Sequence, residues 1–158
     1  MQKITPFLWF NDNAEKAVKF YISVFKKGKI TGITRYTEGA PAPAGTVMTV
    51  EFQLFGQEFI ALNGGPVFKF TEAISFVVHC KTQREVDHYW RKLSAGGETS
   101  QCGWLKDKFG LSWQVVPTVL IDLLSSKDRA KATRVMQAML QMTKIDIKRL
   151  KQAAAQRG

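Results

Sequence analysis

The chain has 158 residues, 45% of them hydrophobic, which suits one domain with a real core or two small halves sharing one, and excludes a disordered chain. No apolar run is long enough to span a membrane, and the N-terminal MQKITPFLWFND lacks the shape of a secretory signal, so a cytoplasmic location is expected. The net charge is +10, and its two cysteines, Cys80 and Cys102, are too few for a disulfide framework.

In chain order, ITPFLWF (4–10) reads as a strand with Pro6 near its start. Asp12 and Asn13 are candidate N-caps, with Glu15 completing a loose capping box. Ala14, Ala17, Val18, Tyr21, Val24 and Phe25 then recur at helical spacing, and Gly28 supplies a stop. ITGITRYT is a strand, EGAPAPAG a loop, and TVMTVEFQLF a long alternating strand that turns through FGQEF into FIALNGG. The first half is therefore strand, helix, three strands. The second half repeats the plan. AISFVVHC is a strand, and Thr82 and Glu85 form a sharper capping box. Val86, Tyr89, Trp90 and Leu93 mark a buried helix face that Gly96 and Gly97 end. A short strand near Glu98, CGWLKD, and GLSWQVVP follow.

The last forty residues read as helical. Val135, Met136, Met139 and Leu140, then Ile145, Ile147 and Leu150, form apolar stripes. This tail carries +7 of the charge: Lys127, Arg129, Lys131, Arg134, Lys144, Lys148, Arg149, Lys151 and Arg157 outnumber Asp128 and Asp146. No aromatic residue is interleaved for stacking, so a solvated helix face is expected and nucleic-acid binding is not. The expected fold class is α+β: two βαβββ modules at 1–66 and 67–118, with a helical extension at 119–158, in one structural domain overall.

Several strings resemble a known family. LWFNDNAEKAVKFYISVF, VMTVEFQLFGQEFIALNGG, FTEAISFVV, CGWLKDKFGLSWQVVP and RVMQAMLQMTKIDI are similar to the PhnB-like branch of the vicinal-oxygen-chelate superfamily. That superfamily includes glyoxalase I, extradiol dioxygenases and bleomycin-resistance proteins, and the branch is often labelled 3-demethylubiquinone-9 3-methyltransferase. The resemblance implies cupped mixed sheets with helices outside and a homodimer. Members often carry a His after NGGP, where this chain has Val67. The label implies methyl transfer, yet no glycine-rich strand-to-helix turn followed by an acidic residue is present.

Metal-dependent members hold a divalent ion at places that fall here near Pro6, Asn63, Ala73 and Gln114. These side chains are poor ligands or none, so neither a metal nor another cofactor is expected. His88 reads as a surface helix residue. His79 and Cys80 are strand neighbours and should point to opposite faces.

Alternation sorts each strand into two rows. Bulky rows (Ile74, Phe76 and Val78; Leu111, Trp113 and Val115; Met48, Val50, Phe52 and Leu54) should meet the helices. The mixed rows should line the cup: Leu8, Phe10, Thr49, Glu51, Gln53, Phe59, Ala61, Asn63, Ser75, Val77, Ser112 and Gln114, with Trp104, Lys106 and Asp107 at its rim. Glu51 is the one carboxylate inside, expected either to have a raised pKa or to pair with Arg35. Cys102 could be a nucleophile near Lys106, but no base is placed beside it.

Three functions follow. The first is a metal-free small-molecule binding protein, favoured for the cup's aromatic and amide lining. The second is an enzyme acting on a small aromatic or amphipathic substrate through Glu51 or Cys102. The third is an interaction module using the basic, Met-rich C-terminal helices.

Overall fold

The computed structural model describes residues 2–156, so Arg157 of the basic tail lies outside the described residues. The fold is α+β, with two four-stranded mixed sheets and, among the described residues, five helices. The chain divides into two compact units, Met1–Phe70 and Thr71–Gly158.

The first unit runs β1 (Phe7–Phe10), α1 (Ala14–Phe25), β2 (Gly28–Arg35), β3 (Val47–Leu54) and β4 (Gln57–Asn63). Its strand order is β1-β4-β3-β2, with β1 and β4 parallel and the other pairs antiparallel. The buried stripe of α1 is the one its spacing predicts. It packs on the sheet, where Tyr21 stacks on Phe52 and Phe52 on Phe59 at 5.2 Å between centroids. Burying each such side chain stabilises by about 1.5–3 kcal/mol.

Two local signals resolve differently. Asn13 is the N-cap of α1, but its side chain makes no capping bond. The Ala14 N–H instead donates to Asn63 Oδ1 at 2.8 Å, so β4 caps the helix across the sheet. The helix also stops before Gly28: Lys26 takes the left-handed conformation and its N–H donates to Ile22 O. Gly28 already belongs to β2, where a Cβ would stand 2.7 Å from Gln53 O.

The second unit runs β5 (Ser75–Cys80), α2 (Gln83–Ser94), β6 (Glu98–Thr99), β7 (Trp104–Lys106), β8 (Ser112–Pro117), then α3 (Thr118–Leu124), α4 (Arg129–Leu140) and α5 (Ile147–Ala155). Its order, β5-β8-β7-β6, repeats the first sheet, with β5 and β8 parallel. Thr82 Oγ1 accepts from the Glu85 N–H, as the capping box predicts. Val86 and Leu93 are buried, while Tyr89 and Trp90 are half-buried. A Cβ on Gly97 would lie 2.1 Å from Lys106 O, so β7 passes this point too closely for a side chain.

The division falls between Phe70 and Thr71, four residues past the expected boundary. Phe68 packs edge-on against Trp9 and Phe70 against Phe10, which ties these residues to the first sheet. The C-terminal helices belong to the second unit. Val116, Leu120, Val135, Met142, Ile145 and Leu150 form one buried cluster there. Gln83 fastens α5 to α2 with both ends of its amide: Nε2 donates to Ile145 O, and Oε1 accepts from the Ile147 N–H. Most of the tail's apolar stripe is thus consumed inside its own unit, leaving Met136 and Leu140 exposed.

Candidate functional site

Each sheet has one face under its helix and one turned away. Strand register assigns the residues. In β3, Thr49, Glu51 and Gln53 lie on the outer face, as expected, opposite Leu62, Ile60 and Glu58 of β4. The partners of the buried Val50 and Phe52 are Ala61 and Phe59, which places those two under the helix. Leu8 and Phe10 pair with Ala61 and Asn63 and share that face. Expecting Leu8, Phe10, Phe59, Ala61 and Asn63 in the cup was therefore an error of one residue in the phase of β1 and β4. The outer face carries Phe7, Trp9, Ile60 and Leu62 instead. No bulky-versus-mixed contrast exists in FLWF or EFIALN to fix the phase. Gly64 belongs to this arrangement: a Cβ there would meet the Trp9 ring at 2.4 Å, and Trp9 Nε1 donates to Gly65 O at 2.9 Å.

Glu51 is not buried. It is exposed, with Oε2 over Gly32 of β2. Arg35 does not meet it in an ion pair; its guanidinium donates to Gly45 O. Thr49 is buried and shares a hydrogen bond with Thr34 on β2.

Within its strands the second sheet alternates as expected, but Ile74, expected under the helix, lies ahead of β5 and is 68% exposed. Phe76, Val78, Leu111, Trp113 and Val115 face inward. Ser75, Val77, Ser112, Gln114, Trp104 and Lys106 come together on the outer face. They form two cross-strand rows: Ser75, Ser112 and Lys106, then Val77, Gln114 and Trp104. Gln114 Nε2 donates to Ser75 Oγ at 2.9 Å. Ser112 is 1% exposed, and its Oγ has no hydrogen-bond partner among the described residues. Lys106 forms an ion pair with Glu72, on the segment leading into β5. That contact holds the exposed Glu72 carboxyl below its usual range and raises the Lys106 ammonium above its own.

Asp107 is not a rim residue. It is 2% exposed and closes the turn between β7 and β8. Its Oδ1 accepts from the Phe109 and Leu111 N–H groups, and Oδ2 accepts from Trp113 Nε1 at 2.9 Å. The CGWLKDKFG string is in this part a structural clasp.

Cys102 is half-buried in a left-handed turn (φ 59°), and its N–H donates to Met142 O, joining the sheet to the α4–α5 connection. His79 is exposed while Cys80 is fully buried, and burial, with a smaller contribution from Glu85, pushes the Cys80 thiol up to about 12.

The places where the superfamily holds a metal do not fit one. Both ends of the Asn63 amide are engaged, by Ala14 and by Val47 O. The Gln114 amide nitrogen is engaged by Ser75, and Pro6 and Ala73 have no ligating side chain. Among the described residues, no three His, Cys, Asp or Glu side chains gather closely enough to hold an ion.

A family model described as 3-demethylubiquinone-9 3-methyltransferase matches residues 2–116. The PhnB protein of Bacillus cereus is 40% identical, with a TM-score of 0.67, over 73% of this chain and 99% of that one. PA1353 of Pseudomonas aeruginosa is 20% identical, with a TM-score of 0.61, over 74% of this chain and 98% of that one. The fosfomycin resistance protein FosX of Listeria monocytogenes is 15% identical, with a TM-score of 0.51, over 74% of this chain and 93% of that one. The last two likenesses show the fold alone. No curated protein matches the chain. The family model ends at residue 116, so α3, α4 and α5 lie beyond it. With its doubled βαβββ topology and this match, the chain belongs to the 3-demethylubiquinone-9 3-methyltransferase family, the PhnB-like branch of the vicinal-oxygen-chelate fold.

Proposed function

We propose that the chain is a small-molecule binding protein that works without a metal, and that its ligand lies on the outer face of the second sheet. The observation that carries this reading is the pair of cross-strand rows, Ser75–Ser112–Lys106 and Val77–Gln114–Trp104. An aromatic wall beside a few convergent hydroxyl, amide and ammonium groups is the usual make-up of a small-molecule site. The outer face of the first sheet sets the apolar Phe7, Trp9, Ile60 and Leu62 beside Thr49, Glu51, Gln53 and Glu58, of which Thr49 is engaged by Thr34 and Glu58 by the Gln2 N–H.

The family's description names a methyl transfer. Here the strand-to-helix junctions read Asn11–Asp12–Asn13 and Lys81–Thr82, without the glycines by which a nucleotide-bearing methyl donor is usually approached. Glu51 is exposed and Cys102 sits in a left-handed turn, and neither placement favours the enzyme reading.

A thermal-shift screen of small aromatic and amphipathic compounds, with chelator present, tests the proposal. A ligand at a hundredfold excess over its Kd stabilises by about 2.7 kcal/mol. The expected hit raises Tm with or without chelator, and the shift is lost in Gln114→Ala or Trp104→Ala. A shift that appears only with added divalent metal would contradict the reading.

A further inference from the structure

At the β6 side of the second sheet's outer face lies a cavity of about 220 Å³, lined among others by Glu72, Glu98, Trp104, Lys106 and Ser112. Ser112 is nine-tenths buried and more, and its hydroxyl has no partner among the described residues. A buried hydroxyl costs free energy unless something meets it. Ser112 and Lys106 are register partners on β8 and β7, so ammonium and hydroxyl rise side by side from one face. Two adjacent donors of this kind suit a single oxyanion.

The place beside Lys106 is held by the Glu72 carboxylate. Both side chains are well exposed, at 39% and 59%, and such pairs are weak. Glu98 pairs in register with Lys106 from β6 and, after Glu72, favours its charged form. A lysine ammonium is charged at neutral pH without such help, so the site keeps its cation when Glu72 moves away.

We propose that this cavity takes a ligand oxyanion, a carboxylate or phosphate, which displaces Glu72 from Lys106 and accepts the Ser112 hydroxyl. Glu72 stands in for the ligand's acid group. The inference rests on the reading of this face as a small-molecule site and names the group that anchors the ligand. The cavity is smaller than the roughly 300–1,000 Å³ of sites that enclose a drug-sized molecule. It seats the acid group, and the ligand's body extends along Trp104 toward Gln114 and Val77.

The test is an amide NMR titration of the full chain at fixed ionic strength with benzoate, phenyl phosphate, neutral benzamide and benzylamine. Benzoate and phenyl phosphate are expected to shift the Trp104, Lys106 and Ser112 signals saturably, with benzamide and benzylamine far weaker. The tighter of the two acids identifies the oxyanion. Glu72→Gln removes the competitor and is expected to tighten acid binding about two- to fivefold. Lys106→Met and Ser112→Ala each weaken it about tenfold. The sign of the Glu72→Gln effect decides, because removing one partner of an exposed ion pair has little effect on folding. Unchanged or weakened acid binding in Glu72→Gln overturns the oxyanion site. So does benzylamine binding that Glu72→Gln weakens, which would make the carboxylates the anchor. Benzamide binding as tightly as the acids also overturns it, while leaving the small-molecule reading intact. No shift with any of the four compounds overturns it too, and the thermal-shift screen of aromatic and amphipathic compounds then judges the broader reading.

Discussion

The two sheets share one topology and differ in almost everything laid on it. Strands of the first reach eight residues, and its outer face sets Phe7, Trp9, Ile60 and Leu62 beside the acidic and amide groups of Glu51, Glu58 and Gln53. Strands of the second reach six residues, and its outer face carries Ser75, Ser112, Gln114 and Lys106. The first unit closes its core with one helix. The second adds three helices and a carboxylate clasp. The parallel pairing of first and last strand is a scaffold that fixes where side chains stand. The chemistry comes from which residues occupy those places.

The comparison can be broken most severely at the clasp. Asp107→Ala is expected to destabilise by about 3–5 kcal/mol, since several buried donors lose their acceptor at about 1–3 kcal/mol each. Chemical denaturation measures it, and hydrogen exchange should show the loss concentrated in the second unit. Leu150→Ala opens a cavity in the cluster formed by the C-terminal helices, and about 3 kcal/mol is expected. If the helices were a loose appendage, the loss would be far smaller. In the first unit, Asn63→Ala removes the cross-sheet cap of α1, with about 1–2 kcal/mol lost. The thiols sharpen the comparison under conditions away from neutral pH. Cys102 is expected to react with a thiol reagent in the folded chain, and Cys80 only as fast as the chain opens. The folded pKa of Cys80, about 12, lies above the ordinary thiol value near 8.5. Its contribution to stability is therefore complete below about pH 8.5 and lost as pH climbs toward 12, which a pH series of unfolding curves with Cys80→Ala as control would show.

Much of this was legible in the sequence because it depends on local periodicity. The stripe of α1, the Thr82 cap and the face assignments of β3, β5 and β8 each follow from residues close together in the chain. What the sequence hid depends on partners far apart. Asn63 looks like a strand end until β4 is seen against the start of α1. Asp107 looks like a charged rim residue until Trp113 and the Leu111 N–H turn back onto it. The phase of β1 and β4 failed because both faces of those strands are apolar. The outer face of the second sheet was readable because small polar and bulky apolar residues alternate through SFVVH and SWQVV.

The most direct measurement is an amide NMR map of the full chain with the best neutral or acidic hit from the ligand screen, in the presence of chelator. The account predicts saturable shifts gathered at Ser75, Val77, Trp104, Ser112 and Gln114. Shifts gathered instead around Phe7, Trp9 and Leu62, or on α4 and α5, would contradict it.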